Sequence, residues 1–97
     1  MLTLYQAEWC PHSRKVRQRL TELGIDFLAK QVPPEPAERD ELRKVAGTDE
    51  IPVLVTGERE TIQGDEKIIA WLNERYDEGS AAPKHREKLL ENSGVPT

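Results

Sequence analysis

Two hydrophobic periods alternate along this chain, and the alternation restricts its topology more than any other feature. Residues 2–6, LTLYQ, alternate apolar and polar side chains with the period of a strand. From Pro11 the period changes: Val16, Leu20 and Leu23 stand at i, i+4 and i+7 among Arg, Lys and Gln, one apolar stripe on a helix, and Gly24 follows as a stop. Residues 25–32 read as a second strand, with Phe27 and Ala29 facing one way. Pro33, Pro34 and Pro36 make a loop that neither continues a strand nor sits inside a helix. Residues 38–46 then suit a helix with acids near its start and Gly47 at its end. Residues 51–56, IPVLVT, read as a buried strand, and a turn at Gly57, Glu58 and Arg59 returns the chain into residues 60–62 as its hairpin partner. A third helix, capped by Asp65 and running to residues 77–79, places Ile68, Ile69, Leu72 and Tyr76 on its apolar face with Trp71 on the flank.

Strands that alternate with helices pair in parallel through right-handed crossovers, whereas a hairpin pairs antiparallel. The order βαβαββα therefore predicts an α/β fold with a four-stranded mixed sheet and helices on both faces, spanning residues 1–78. Residues 79–97 read as a polar tail, broken at Gly79, Pro83, Gly94 and Pro96, with room for one short helix around Leu89 and Leu90.

A chain of 97 residues accommodates one core, and 36% apolar against 33% charged residues makes that core modest. The net charge of −4 argues against nucleic-acid and anionic-membrane partners, which require a basic field. The chain has no run near the roughly 20 apolar residues of a membrane span and no basic-then-apolar leader, so the expected location is cytoplasmic. Histidines occur at positions 12 and 85 only, too few beside one cysteine for a closed zinc site, so no metal is expected.

That cysteine, Cys10, precedes Pro11, a residue favoured at the first position of a helix. Cys10 thus falls at the cap, where free backbone amides and the positive end of the helix dipole favour a thiolate, and where a side chain is expected to face solvent rather than core. His12, Arg14 and Lys15 add cationic or protonatable groups, and Glu8 opposes them.

Cys10-Pro11-His12-Ser13 with the helix that follows resembles the active-site turn of glutaredoxins and of the glutathione S-transferase N-terminal domain. Ile51-Pro52-Val53-Leu54 is similar to their third strand, and Ile62-Gln63-Gly64-Asp65 with Ile68, Trp71 and Leu72 to their glutathione-binding turn and last helix. The resemblance spans residues 2–76 and implies the thioredoxin fold, with a cis bond before Pro52 and with Ile51 beside Cys10. It implies that Ile51 pairs with the cysteinyl backbone of glutathione, and that Gly64, Asp65 and Glu66 hold its γ-glutamyl end through amides and an acid.

Ser13 stands where dithiol glutaredoxins carry a second cysteine, so the resemblance implies a monothiol route through Cys10, with Pro11 opening the helix and Ser13 available to hydrogen-bond the sulfur. The iron–sulfur class of monothiol glutaredoxins carries Cys-Gly-Phe-Ser, which this chain lacks. His12 replaces the family's usual aromatic residue, and Gly64 an often acidic one. The expected activity is reduction of mixed disulfides with glutathione or a similar small thiol as co-substrate, on thiol-bearing protein substrates. The alternatives are a transferase N-terminal domain without its helical partner domain and a non-catalytic thiol- or protein-binding module.

Overall fold

The computed structural model describes residues 1–93; the breakers Gly94 and Pro96 lie outside them. Strand β1 (Leu2–Gln6), helix α1 (Pro11–Leu23), β2 (Phe27–Gln31), α2 (Asp40–Ala46), β3 (Val53–Val55), β4 (Thr61–Gln63), α3 (Asp65–Arg75) and α4 (Ala82–Glu91) follow in order. The four strands form one sheet in the order β2-β1-β3-β4. β1 runs parallel to β2, and β3 antiparallel to both β1 and β4. This is the thioredoxin-like arrangement.

Register converts the strand period into two cores. Leu4 lies opposite Leu54, and Tyr5 opposite Val53, so successive residues of each strand face opposite sides of the sheet. On one side Leu4 and Leu54 meet Val16 and Leu20 of α1 and Ile68 and Leu72 of α3. On the other, Tyr5 and Val53 meet Leu42 of α2. Helices thus cover both faces, unequally.

Several element ends differ from those read in the sequence, each for a local reason. β2 starts at Phe27 because Ile25 closes the preceding helix, its N–H donating to Leu20 O at 2.9 Å while Gly24 takes the left-handed conformation at φ 69°. The second helix is divided: Pro36–Glu38 form a 3₁₀ turn, Arg39 leaves helical geometry with ψ at 57°, and α2 starts at Asp40. β3 starts after Pro52. α3 ends at Arg75, so Tyr76, in extended conformation, lies beyond the helix and outside its apolar face. Gly64, not Asp65, occupies the cap of α3, at φ 95°, and Asp65 is the first helical residue.

The segment after residue 78 is more than a polar tail. α4 is ten residues long and packs along α1, with Ala82 fully buried. Glu78 links the two helices, its Oε1 accepting from Arg19 at 2.7 Å and from Arg86 at 2.8 Å.

Candidate active site

The thiol-bearing turn is built where β1 runs out. Cys10 N–H donates to Ala7 O at 3.1 Å, and Cys10 O accepts the amide of Arg14 at 3.0 Å. Cys10 thereby takes the cap of α1 in extended conformation, with Pro11 as first helical residue. Ser13, one turn on, is fully buried, and its Oγ accepts the Ala7 N–H at 3.4 Å.

Contrary to the sequence-based expectation, the Cys10 side chain does not face open solvent: the residue is 6% exposed. The Ala7–Cys10 turn folds it inward over the first turn of α1. Yet it belongs to neither apolar cluster. Burial pushes the thiol up, but hydrogen bonds from the Ser13 amide, the Ser13 hydroxyl and the His12 amide, with the nearby charge of Arg17, outweigh it and hold the thiol below its ordinary range.

Arg17 was absent from the sequence-based site, in which Arg14 and Lys15 were the cations considered. It reaches back along α1 to Gln6 Oε1, to Ala7 O and Glu8 O at 3.4 Å, and to the Glu8 carboxylate at 3.2 Å. Its spacing of seven from Cys10, two helical turns, is the signal that would have found it. Arg14 is exposed and lines a shallow groove with Leu89 instead, and Trp9 is 63% exposed beside the turn.

The second wall comes from the entrance to β3. The Ile51–Pro52 peptide bond is cis, and Pro52 is buried. Val53 lies opposite Tyr5, so the residues leading into β3 run beside the end of β1 from which the cysteine turn departs. Among the described residues, neither the N–H nor the C=O of Ile51 has a hydrogen-bond partner. Pro52 O accepts from Gly64 N–H at 2.9 Å, which brings the start of α3 against the same edge.

Asp65 completes the site. Its Oδ2 lies 3.0 Å from His12 Nδ1 and 3.7 Å from Lys15 Nζ, and its Oδ1 accepts Glu66 N–H at 2.9 Å. The hydrogen bond from His12, with the Glu66 amide and the Lys15 charge, holds the Asp65 carboxyl below the usual range against the opposing effect of desolvation. The helix starts of α1 and α3 are thus tied together through side chains 53 residues apart. The structure brings together Cys10, Pro11, His12 and Ser13 at the start of α1 with Gly64, Asp65 and Glu66 at the start of α3 through the His12–Asp65 contact, and Ile51 and Pro52 lead into β3, Pro52 O accepting the Gly64 N–H. Among the described residues, no group of three or more His, Cys, Asp or Glu side chains is placed to hold a metal ion. No helix there is long and apolar enough to cross a membrane.

A thiol at the head of α1, beside a cis-proline strand entrance and a second helix start, on a sheet ordered β2-β1-β3-β4, defines a thioredoxin-fold domain of the glutaredoxin and glutathione transferase type. The chain belongs to the family described as glutathione S-transferase, N-terminal domain, which residues 4–81 match. It is 32% identical over 57 residues to a glutaredoxin of Pseudomonas aeruginosa, covering 59% of this chain and 68% of that protein. A glutathione S-transferase of Methylobacillus flagellatus, solved with glutathione bound, superposes with a TM-score of 0.67 at 25% identity, over 77% of this chain and 37% of its own. One from Sinorhizobium meliloti gives 0.71 at 27%, over 89% and 36%. The chain thus spans little more than a third of the length of these transferases.

Proposed function

We propose that this protein is a monothiol thiol–disulfide oxidoreductase that uses glutathione or a closely related thiol. The observation that carries this reading is the Cys10 thiol at the head of α1, hydrogen-bonded by the Ser13 and His12 amides and the Ser13 hydroxyl, with a peptide group at Ile51 in the entrance to β3 whose two hydrogen-bonding positions are open among the described residues. An extended cysteinyl ligand pairing with Ile51 as an added strand would lie along that edge. The amides at the start of α3 would receive its γ-glutamyl carboxylate.

The Cys10 thiolate attacks the glutathione sulfur of a mixed disulfide. The S–S bond of the substrate breaks, the protein substrate leaves as thiolate and takes a proton from water, and Cys10 is left disulfide-bonded to glutathione. A second glutathione, as thiolate, attacks that bond, and glutathione disulfide leaves as Cys10 is regenerated. Net, one mixed disulfide and one free glutathione give one protein thiol and one glutathione disulfide. Ser13 supplies no resolving thiol, so the second half must come from solution.

The family match favours a second reading, in which the same thiolate activates glutathione for conjugation and a further domain supplies the other substrate's site. A glutathionylated peptide and a model electrophile separate the two. Under the oxidoreductase reading the peptide is reduced in the presence of glutathione and Cys10→Ser abolishes turnover; conjugation of the electrophile without peptide reduction would reverse the order. A midpoint for Cys10 alkylation by iodoacetamide above pH 8.5 would remove both readings and leave a binding module.

A further inference from the structure

Asp65, one of the two acids in the turn expected to hold a γ-glutamyl end, is already occupied. Asp65 gives one oxygen to the Glu66 amide at 2.9 Å and the other to His12 Nδ1 at 3.0 Å, with Lys15 Nζ at 3.7 Å. Its side chain is 16% exposed, whereas those of His12 and Lys15 are 61% and 65% exposed. The two basic side chains therefore stand on the solvent side of the carboxylate. An ammonium brought to Asp65 would have to displace one of them or sit beside the ring of His12 and within a few ångströms of the Lys15 ammonium, where like charges repel. His12 keeps its hydrogen bond in either charge state, since the neutral ring can still carry a proton on Nδ1. Gly64 contributes no side chain, and Glu66 is the other acid of this turn.

We propose that His12 and Lys15 fill the position an α-ammonium would take, so that the groove accepts γ-acyl-cysteinyl thiols with or without a free amino group. Glutathione and its deaminated or N-blocked relatives are then one substrate class for this protein. The inference rests on the reading of the Cys10–Ile51–Gly64 edge as a thiol-tripeptide groove.

The test is titration of the full chain, followed by amide chemical shifts, with two unreactive ligands: S-methylglutathione and the same compound with hydrogen in place of the amino group. The expected result is dissociation constants within about threefold of one another, less than the roughly tenfold that 1.4 kcal/mol of amine recognition represents. In the His12→Ala/Lys15→Ala variant, with Asp65 released, the amine-bearing ligand should bind about tenfold more tightly than its deaminated partner. A wild-type preference of tenfold or more for the amine overturns the proposal, and its loss in Glu66→Gln would assign the amine to Glu66. An unchanged ratio in the double variant, checked as folded by its amide spectrum, also overturns it. If neither ligand binds, the groove reading itself fails and this inference falls with it.

Discussion

At the scale of the residue, Ser13 is the side chain on which the chemistry of Cys10 turns. Its hydroxyl accepts from Ala7 N–H, which leaves its single proton free to point at the sulfur, and its own amide points there too. A hydrogen bond to a charged acceptor contributes about 1.5–3 kcal/mol. Ser13→Ala should therefore reduce the rate of Cys10 alkylation at pH 7 by about tenfold. The sign follows from ionisation: a lowered thiol pKa keeps the reactive thiolate at lower pH, so removing the hydroxyl shifts the rate–pH curve upward along the pH axis while its high-pH plateau stays. A pH series of iodoacetamide rates checks this, and a lowered plateau would mean that Ser13 acts by holding the turn in place instead. Trp71 is a contrasting residue. Its Nε1 is buried without a hydrogen-bond partner among the described residues, while Arg75 stacks 4.3 Å from the ring centroid. Trp71→Phe removes the unpaired donor and keeps an aromatic face, so its unfolding free energy, by urea titration, should lie within about 1 kcal/mol of wild type, against the 3–5 kcal/mol typical of truncating a core aromatic to alanine.

At the scale of the element, an ion-pair cluster ties α4 to α1 beside the buried Ala82. Arg19 and Arg86 hold Glu22 and Glu78 between them. Hydrogen bonds from Arg86 and then Arg19 lower the Glu78 carboxyl to about 2. Since its folded value is depressed, the stabilisation is fully present above the ordinary glutamate range and is lost as pH falls from about 4.5 towards 2. Hydrogen exchange of α4 amides should accelerate relative to those of α1 across that window, and in Glu78→Gln the difference should be present already at pH 6. This docking was not legible in the sequence, because the partners lie 59 and 64 residues apart and no local period joins Arg19 to Glu78 or Glu22 to Arg86. The elements themselves were legible wherever one face is buried. Val16, Leu20 and Leu23 of α1, and Ile68 and Leu72 of α3, are all in the first cluster or at its rim, because a 3.6-residue period leaves little choice of face. The cysteine turn was legible as a cap, but the burial of Cys10 was not. That depends on the Ala7 carbonyl reaching Cys10 N–H, a turn contact with no hydrophobic period to announce it.

At the scale of the molecule, the two faces of the sheet are unequally secured, and one wall of the site, the entrance to β3 at Ile51, packs on the weaker one. α2 buries Leu42 alone, while Val45 is 42% exposed. Arg39 compensates by hydrogen bonding. It is 5% exposed, and its guanidinium donates to Pro33 O at 2.8 Å, Pro34 O at 3.1 Å and Asp49 O at 2.9 Å. No carboxylate among the described residues lies within ion-pair distance of it, so the three carbonyls carry its solvation. They join the proline loop to the residues just before Ile51, so the groove wall and the second core share one anchor. Arg39→Met keeps the aliphatic stem but removes the donors to three carbonyls, of which those of Pro33 and Pro34 belong to exposed residues and can turn to water, so the loss is about 0.5–1.5 kcal/mol per hydrogen bond. That is a large share of the roughly 5–15 kcal/mol that holds a domain of this size together. Leu20→Ala, which opens a cavity in the first core, should cost a comparable 2–5 kcal/mol. Substitutions at the two positions should nevertheless differ in kind. Leu20→Ala should lower the melting temperature while leaving the folded protein's Cys10 alkylation rate and the exchange of amides 48–51 near wild type. Arg39→Lys, which retains the charge but cannot reach three carbonyls in a fixed fork, should accelerate exchange at 48–51 and weaken S-methylglutathione binding at temperatures where the sheet is still intact. Equal effects of the two substitutions on those amides would mean that the loop before β3 is secured by the core as a whole and not by Arg39.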